Sequence, residues 1–262
     1  MKILMALAAF CYFLGMVKFF LHLAVKRQIL FYLATAMIVA GFLFHTGMMF
    51  KISSMTGHGP YTTPFEQASF FSWTIMGMLI VAIFFSRVTA LGVFVSPIGF
   101  LVLAYSFLLP MSDNSQLTNN EYWLTLHLTL SFLALSSFVV IFAASIMYLM
   151  QERQLKSHHL SGIFKRMPDL QTLDTVFHKS LIFGFPLITV GMGSAFMLTI
   201  TKYGSLLGPK PGRILPLLII WAVYAVIMIG RSLLGWRGHE IALMGLVGFA
   251  GAMAALGIHL YF

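Results

Sequence analysis

Charge is scarce in this chain, and acidic charge most of all. Only seven of its 262 residues are Asp or Glu, and charged residues of both signs make up 9% against 60% hydrophobic. So little polar surface cannot cover a soluble globule, which leaves an integral membrane protein. Cysteine is almost absent as well: the lone Cys11 excludes a disulfide within the chain and a thiolate metal cluster. The acidic residues Glu66, Asp113, Glu121, Glu152, Asp169, Asp174 and Glu240 fall at the ends of apolar runs or between them. A paired intramembrane carboxylate for proton work is therefore missing, as are G-x-S-x-G, H-E-x-x-H and phosphate-cradling glycine loops.

What fills the chain instead is a series of apolar runs of about 20 residues, the length that crosses a hydrocarbon core of about 30 Å as a helix. The short alternating segments of a membrane barrel do not occur. Hydropathy predicts eight spans near 3–25, 29–50, 67–86, 89–110, 123–150, 181–201, 214–234 and 240–262. The first run is too long for a signal-peptide core and lacks a small-residue cleavage site, so it counts as a span. The polar connections are short, and residues 1–262 are expected to form one transmembrane domain, an all-α polytopic bundle. Methionine is abundant, 18 residues, and in apolar helices serves as gap filler.

Basic residues set the expected orientation. Odd-numbered connections hold Lys26, Arg27, Arg87, Arg153, Lys156, Lys165, Arg166, Lys179, Arg231 and Arg237. The even-numbered ones and the termini hold Lys2, Lys51, Lys202, Lys210 and Arg213. Basic loops stay in the cytoplasm, which puts both termini and the segments near 51–66, 111–122 and 202–213 outside. The net charge of +9 is thereby accounted for without nucleic acid. The basic segment 151–180, with His158 and His159, reads as a solvated face toward anionic lipid headgroups.

Histidines carry the functional signal. On the central run from Tyr122 to Met150, His127, Ser131 and Ala134 share one helical face, a small and polar one suited to a neighbouring helix rather than lipid. In the last span Gly245, Gly248, Ala252 and Ala255 form a small-residue stripe that leads to His259 at the same membrane face. His45 lies in the outer third of span two. His178 lies at the inner start of span six, with His22 in the inner third of span one. Two neutral imidazoles from separate helices are what axial ligation of a haem iron requires. Spacing alone favours the other use of such rings, in which His127 and His259 each hydrogen-bond a neighbouring helix and never meet.

The stretch Ser53 to Trp73, SSMTGHGPYTTPFEQASFFSW, resembles a segment of CcsA-type cytochrome c assembly proteins at Gly57, His58, Pro60, Phe65, Glu66 and Trp73. Leu126 with His127, then Gly184, Pro186 and Gly191 within Leu173 to Ala195, then the G-W-x-G turn of Gly235, Trp236 and Gly238, are similar to that family in the same order. The family's tryptophan-rich outer loop is replaced here by Thr201 to Pro216, TKYGSLLGPKPGRILP, in which only Tyr203, Gly204, Ser205, Pro209 and Lys210 echo it. The family histidine before the G-W-x-G turn is replaced near Ile229. This departure resembles the HemX-type or YpjD-type branch and argues against an enzyme acting by itself.

The resemblance implies haem handling in cytochrome c biogenesis or haem supply at a bacterial inner (plasma) membrane. It implies haem b as cofactor; for that haem the histidine placement offers His127 and His259 as axial iron ligands, with His45 in place of His259 if His259 faces elsewhere, and His178 with His22 as a second, inner cofactor-binding site. It also implies a second subunit of a cytochrome c assembly complex as partner, beside membrane lipid. The alternative is a membrane tether and regulator of a cytoplasmic haem-synthesis enzyme, without haem transport of its own. A third class, a quinone or electron-transfer b-type cytochrome, would need two histidine pairs spanning the membrane, and only loose pairs are found.

Overall fold

The computed structural model describes residues 2–25, 27–86, 88–110, 121–157, 167–206, 208, 212 and 214–261; the side chains at 121, 256 and 258–261 lie outside that description. The described residues form eight α-helices joined by short turns, with no strand among them. In chain order they are α1 (Lys2–Val25), α2 (Gln28–Thr56), α3 (Pro64–Ser86), α4 (Leu91–Ser106), α5 (Glu121–Lys156), α6 (Leu170–Tyr203), α7 (Ile214–Ser232) and α8 (His239–Tyr261). Six of them are long and apolar enough to cross a membrane, and α4 and α8 add shorter apolar helices. The protein is a multi-pass membrane helix bundle.

Helices group into two compact units, α1–α4 and α5–α8. Each is a ring of four in which every helix touches its chain neighbours and the last returns to the first: α1 meets α4, and α5 meets α8. Short connections between antiparallel neighbours favour that arrangement.

Three boundaries differ from the hydropathy reading for one reason. α2 runs to Thr56, α5 to Lys156, and α6 begins at Leu170, well before the apolar run near 181. Hydropathy marks where a helix enters lipid, whereas hydrogen bonding decides where it ends. The start of α6 is fixed by Asp169, whose carboxylate accepts from the Thr172 backbone N–H at 2.7 Å and from its hydroxyl at 2.9 Å. These bonds hold the Asp169 carboxyl below the ordinary carboxylate range. At the far end of α2, Gly57 takes φ +76° and its N–H closes on the Ser53 carbonyl at 2.9 Å, a left-handed cap that glycine adopts without strain.

In unit one the connection 57–63 folds back onto helix α3. Thr63 and Glu66 form a capping box: Thr63 Oγ1 accepts from the Glu66 N–H at 3.2 Å, and Glu66 Oε2 accepts from the Thr63 N–H at 3.3 Å. Thr62 adds its N–H at 2.9 Å and its hydroxyl at 2.7 Å to the same oxygen. Glu66 is thereby buried yet saturated, which resolves the cost of a carboxylate at the start of a span. Residues 111–120, 158–166, 207, 209–211 and 213 lie outside the described residues, and with them the outer segment near 111–122, His158, His159 and part of the degenerate loop.

Candidate functional site: a tautomer-locked histidine between α5 and α6

Small residues let α5 and α6 approach closely. A Cβ at Gly184 would stand 2.9 Å from the Phe138 ring and 3.0 Å from Ser137, and one at Gly191 would stand 3.0 Å from Ser131 Oγ. Ser137 on α5 donates to the Ser180 carbonyl of α6 at 2.6 Å. Close backbones with interhelical hydrogen bonds are how helices associate where lipid offers no hydrophobic drive.

His127 sits in this seam. Its Nδ1 lies 2.8 Å from the Gly191 carbonyl oxygen. A carbonyl only accepts, so Nδ1 carries the proton, and in the neutral ring the lone pair resides on Nε2. Ser131 Oγ is 3.4 Å from the same nitrogen, and the Ser194 hydroxyl also donates to the Gly191 oxygen at 2.7 Å. Among the described residues Nε2 has no hydrogen-bond partner. An imidazole oriented through Nδ1–H to a backbone carbonyl, with Nε2 left over, is the arrangement of a metal-ligating histidine.

His259 belongs to the same unit. Its side chain lies outside the described residues, but the register of its helix is defined. Glu152 meets His239, a Cβ at Gly245 would touch Ser145, and the rings of Phe142 and Phe249 are 4.5 Å apart, so α8 runs antiparallel to α5. Continued at that register, His259 comes level with Phe132, five residues or about 7.5 Å along the axis from His127. The two histidines that the sequence placed at one depth therefore share one end of this four-helix ring.

His178 does not join them. It lies thirteen residues before Gly191 on α6, about 20 Å along the helix, which is less than the membrane thickness the sequence suggests. Its Nδ1 is buried with no partner among the described residues. His22, its suggested companion, belongs to unit one and has Nδ1 3.0 Å from the Arg27 carbonyl.

His45, in unit one, is fully buried and has both nitrogens engaged. Nε2 is 2.8 Å from Ser69 Oγ, and Nδ1 is 3.4 Å from the Tyr12 hydroxyl. Beside it the Trp73 indole N–H donates to Thr46 Oγ1 at 2.8 Å, and its ring stacks between Phe42 and Phe70. The motif stretch Ser53 to Trp73 is thus tied to α2 at two adjacent positions.

The profile of the cytochrome c assembly protein family matches residues 62–261, most of the chain and all but the last residue of its second unit. The chain belongs to the cytochrome c assembly protein family. It is 29% identical over 163 residues to Protein HemX of Brevibacillus brevis, covering 61% of this chain and 60% of that relative. It is 24% identical over 214 residues to the cytochrome c biogenesis protein CcsA of Guillardia theta, 74% of this chain and 71% of the relative. With CcsA of Prochlorococcus marinus strain MIT 9312 it shares 26% over 251 residues, 86% and 80% of the two chains. The chain thus spans three fifths of the HemX relative and more of these two CcsA relatives.

Residues of the family turn find their role in unit two. Trp236 of G-W-x-G lies against Gly230, where a Cβ would fall 2.1 Å from its ring, and its N–H bonds to the Gly230 carbonyl at 3.0 Å. The Trp236 carbonyl accepts from Arg231 at 2.9 Å, and Arg231 also binds the Asp174 carboxylate on α6. Asp174, expected outside a span, lies inside α6 because that helix starts early. Neither this pair nor the partners Gly191, Tyr12 and Ser69 follow from sequence spacing. The one available signal was an arginine and an aspartate at the ends of apolar runs, each too costly to bury unless paired.

Proposed function

We propose that this protein holds haem b at the outer membrane face in cytochrome c biogenesis or haem supply, with His127 as one axial ligand and His259 as the other. The observation that carries the reading is the bond from His127 Nδ1 to the Gly191 carbonyl, which commits Nε2 to be the ligating atom. Among the described residues no three His, Cys, Asp or Glu converge, so a metal held here would have to bring its equatorial ligands with it. Haem iron does so, its porphyrin supplying four nitrogens and leaving two axial positions. The residues present fit that need. His127 offers an oriented imidazole between α5 and α6, and the shared register brings α8 to the same end. His45 fits less well, because ligation would cost it the bond to Ser69 or to Tyr12.

Two expectations about setting accompany this reading: both termini face outward, from the basic asymmetry of the connections, and the membrane is a bacterial plasma membrane. The optical spectrum of purified protein supplied with haem tests the binding. A low-spin bis-imidazole spectrum is expected, and a colourless protein would contradict it.

A second reading, the tether, is favoured by the lengths of α5 and α6. At 36 and 34 residues they reach about 54 and 51 Å, well beyond a hydrocarbon core of about 30 Å. On the Glu152 side α5 ends in charged turns fastened by Lys156 to Glu152 at 2.9 Å and by His239 to Glu152. Such a stem suits a cytoplasmic partner, a haem-synthesis enzyme on this reading. Loss of that enzyme from membranes on truncating the polar turn after Met150, with haem binding intact, would favour it.

A further inference from the structure

The second and third helices of each four-helix unit are tied by the same set of contacts. On α2 of unit one, Gly41, Phe42 and Thr46 form the pattern G-F-x-x-x-T, and on α6 of unit two Gly184, Phe185 and Thr189 repeat it. Each glycine packs on an aromatic ring of its unit's first helix: a Cβ would stand 2.6 Å from Tyr12 at Gly41 and 2.9 Å from Phe138 at Gly184. Each threonine donates its hydroxyl back to the phenylalanine carbonyl, at 2.8 Å in both units. A tryptophan on the third helix closes the set. Trp73 Nε1 donates to Thr46 Oγ1 at 2.8 Å, and Trp221 Nε1 donates to Thr189 Oγ1 at 3.0 Å. Each indole also stacks on the same phenylalanine, with ring centroids 4.9 Å apart at Phe42 and 5.9 Å at Phe185. Both threonines are exposed within apolar spans, where lipid offers an indole N–H no acceptor, so each clamp satisfies its own polar groups.

In each unit the clamp adjoins the position that engages a histidine. Thr46 follows His45, whose Nε2 meets Ser69 one turn before Trp73 on α3. Thr189 lies two residues, about 3 Å, before Gly191, whose carbonyl accepts the His127 Nδ1–H. There α6 has a weak point to brace. Pro186 lies inside the helix and has no N–H for the Ile182 carbonyl, so the segment after it can hinge against the segment before it. The earlier segment is pinned to α5 by Ser137 and by the close approach at Gly184. The later one carries Gly191. Thr189 spans the proline by its bond to Phe185, and Trp221 holds it from α7, itself anchored on α5 by Tyr224, whose ring stacks 3.5 Å from that of Phe138.

We propose that Trp221 and Thr189 are positioning residues that aim the Gly191 carbonyl at His127 across Pro186, and that Trp73 and Thr46 hold His45 in the same way in unit one. These residues act through the backbone of the clamped helix. The functional weight of the clamp in unit two rests on the haem reading, because the aimed ring is the ligand that reading assigns. The aiming itself exists without haem.

Nitrogen NMR of protein labelled at the histidine ring nitrogens, in lipid bilayers and without haem, tests the proposal, since it reports which nitrogen carries the proton. The signals of His127 and His45 are identified by their loss in His127→Gln and His45→Gln. Wild-type His127 is expected as the Nδ1–H tautomer alone. Trp221→Phe keeps a ring and removes the donor, and Thr189→Val keeps the shape and removes the hydroxyl; in either, the Nε2–H tautomer of His127 should appear while the His45 signals stay in place. Thr189→Ser should restore the wild-type tautomer. Trp73→Phe and Thr46→Val should shift the His45 signals and leave those of His127 unchanged. His127 signals that stay as in the wild type in folded Trp221→Phe or Thr189→Val overturn the proposal, as does an equal disturbance of His127 by Trp73→Phe, which would mean general loosening. The haem reading fails separately, by a protein that stays colourless with its His127 tautomer intact.

Discussion

Asp174 on α6 and Arg231 on α7, 57 residues apart in the chain, form an ion pair in which the guanidinium is 6% and the carboxylate 18% exposed. The same guanidinium reaches the Trp236 carbonyl, so one side chain binds two helices and the turn that follows. A pair this deep contributes little net stability when intact but a great deal when broken, because the survivor is left as an uncompensated charge. Asp174→Asn or Arg231→Leu alone should lower unfolding free energy by about 3–5 kcal/mol, whereas Asp174→Leu with Arg231→Leu should recover most of it. Thermal unfolding in detergent distinguishes these outcomes; equal losses in single and double variants would contradict a coupled pair.

The turn itself makes a second prediction. Gly230 has no room for a methyl group, since a Cβ would stand 2.1 Å from the Trp236 ring. Gly230→Ala should therefore cost about 1–3 kcal/mol through overpacking. Removing the obstructing ring in Gly230→Ala/Trp236→Ala should make the glycine substitution nearly free relative to Trp236→Ala. Additive losses in that cycle would show that the ring does not constrain Gly230.

At the start of α3 the capping box predicts a third outcome. Thr63→Ala and Glu66→Ala should each destabilise by about 1 kcal/mol, and together by less than the sum, since each removes half of one reciprocal arrangement. Full additivity in unfolding measurements would mean the two residues act separately.

Sidedness is tested by reporter fusion. Alkaline phosphatase fused after Asn119 is expected to be active and after Lys156 inactive, because the basic connections are retained in the cytoplasm. The reverse pattern would place His127 on the inner face.

How far these features were legible from the chain depends on their range. The polar face of α5, with His127, Ser131 and Ala134, follows from helical spacing alone, and the structure turns that face to Gly191 of α6. The eight helices follow from apolar length. Their ends do not, because the early start of α6 rests on a side-chain cap at Asp169 and hydropathy registers only the apolar run that follows. Tertiary partners are the least legible. Nothing at Tyr12 or Ser69 announces that both will meet His45, and nothing near Arg231 names Asp174, since these pairings arise only once helices are set side by side. The carbonyl that orients His127 lay within a motif stretch already matched to the family, yet backbone acceptors have no sequence signature.

The most direct test of the central claim is the spectrum of haem-supplemented protein carrying His127→Ala, measured beside the wild type and His178→Ala. If His127 supplies an axial bond, its loss converts a low-spin spectrum to high spin or abolishes bound haem. His178→Ala, about 20 Å along α6 from the Gly191 carbonyl, leaves the spectrum unchanged. A low-spin spectrum that survives in His127→Ala, or haem that is lost equally in both variants, would contradict the account.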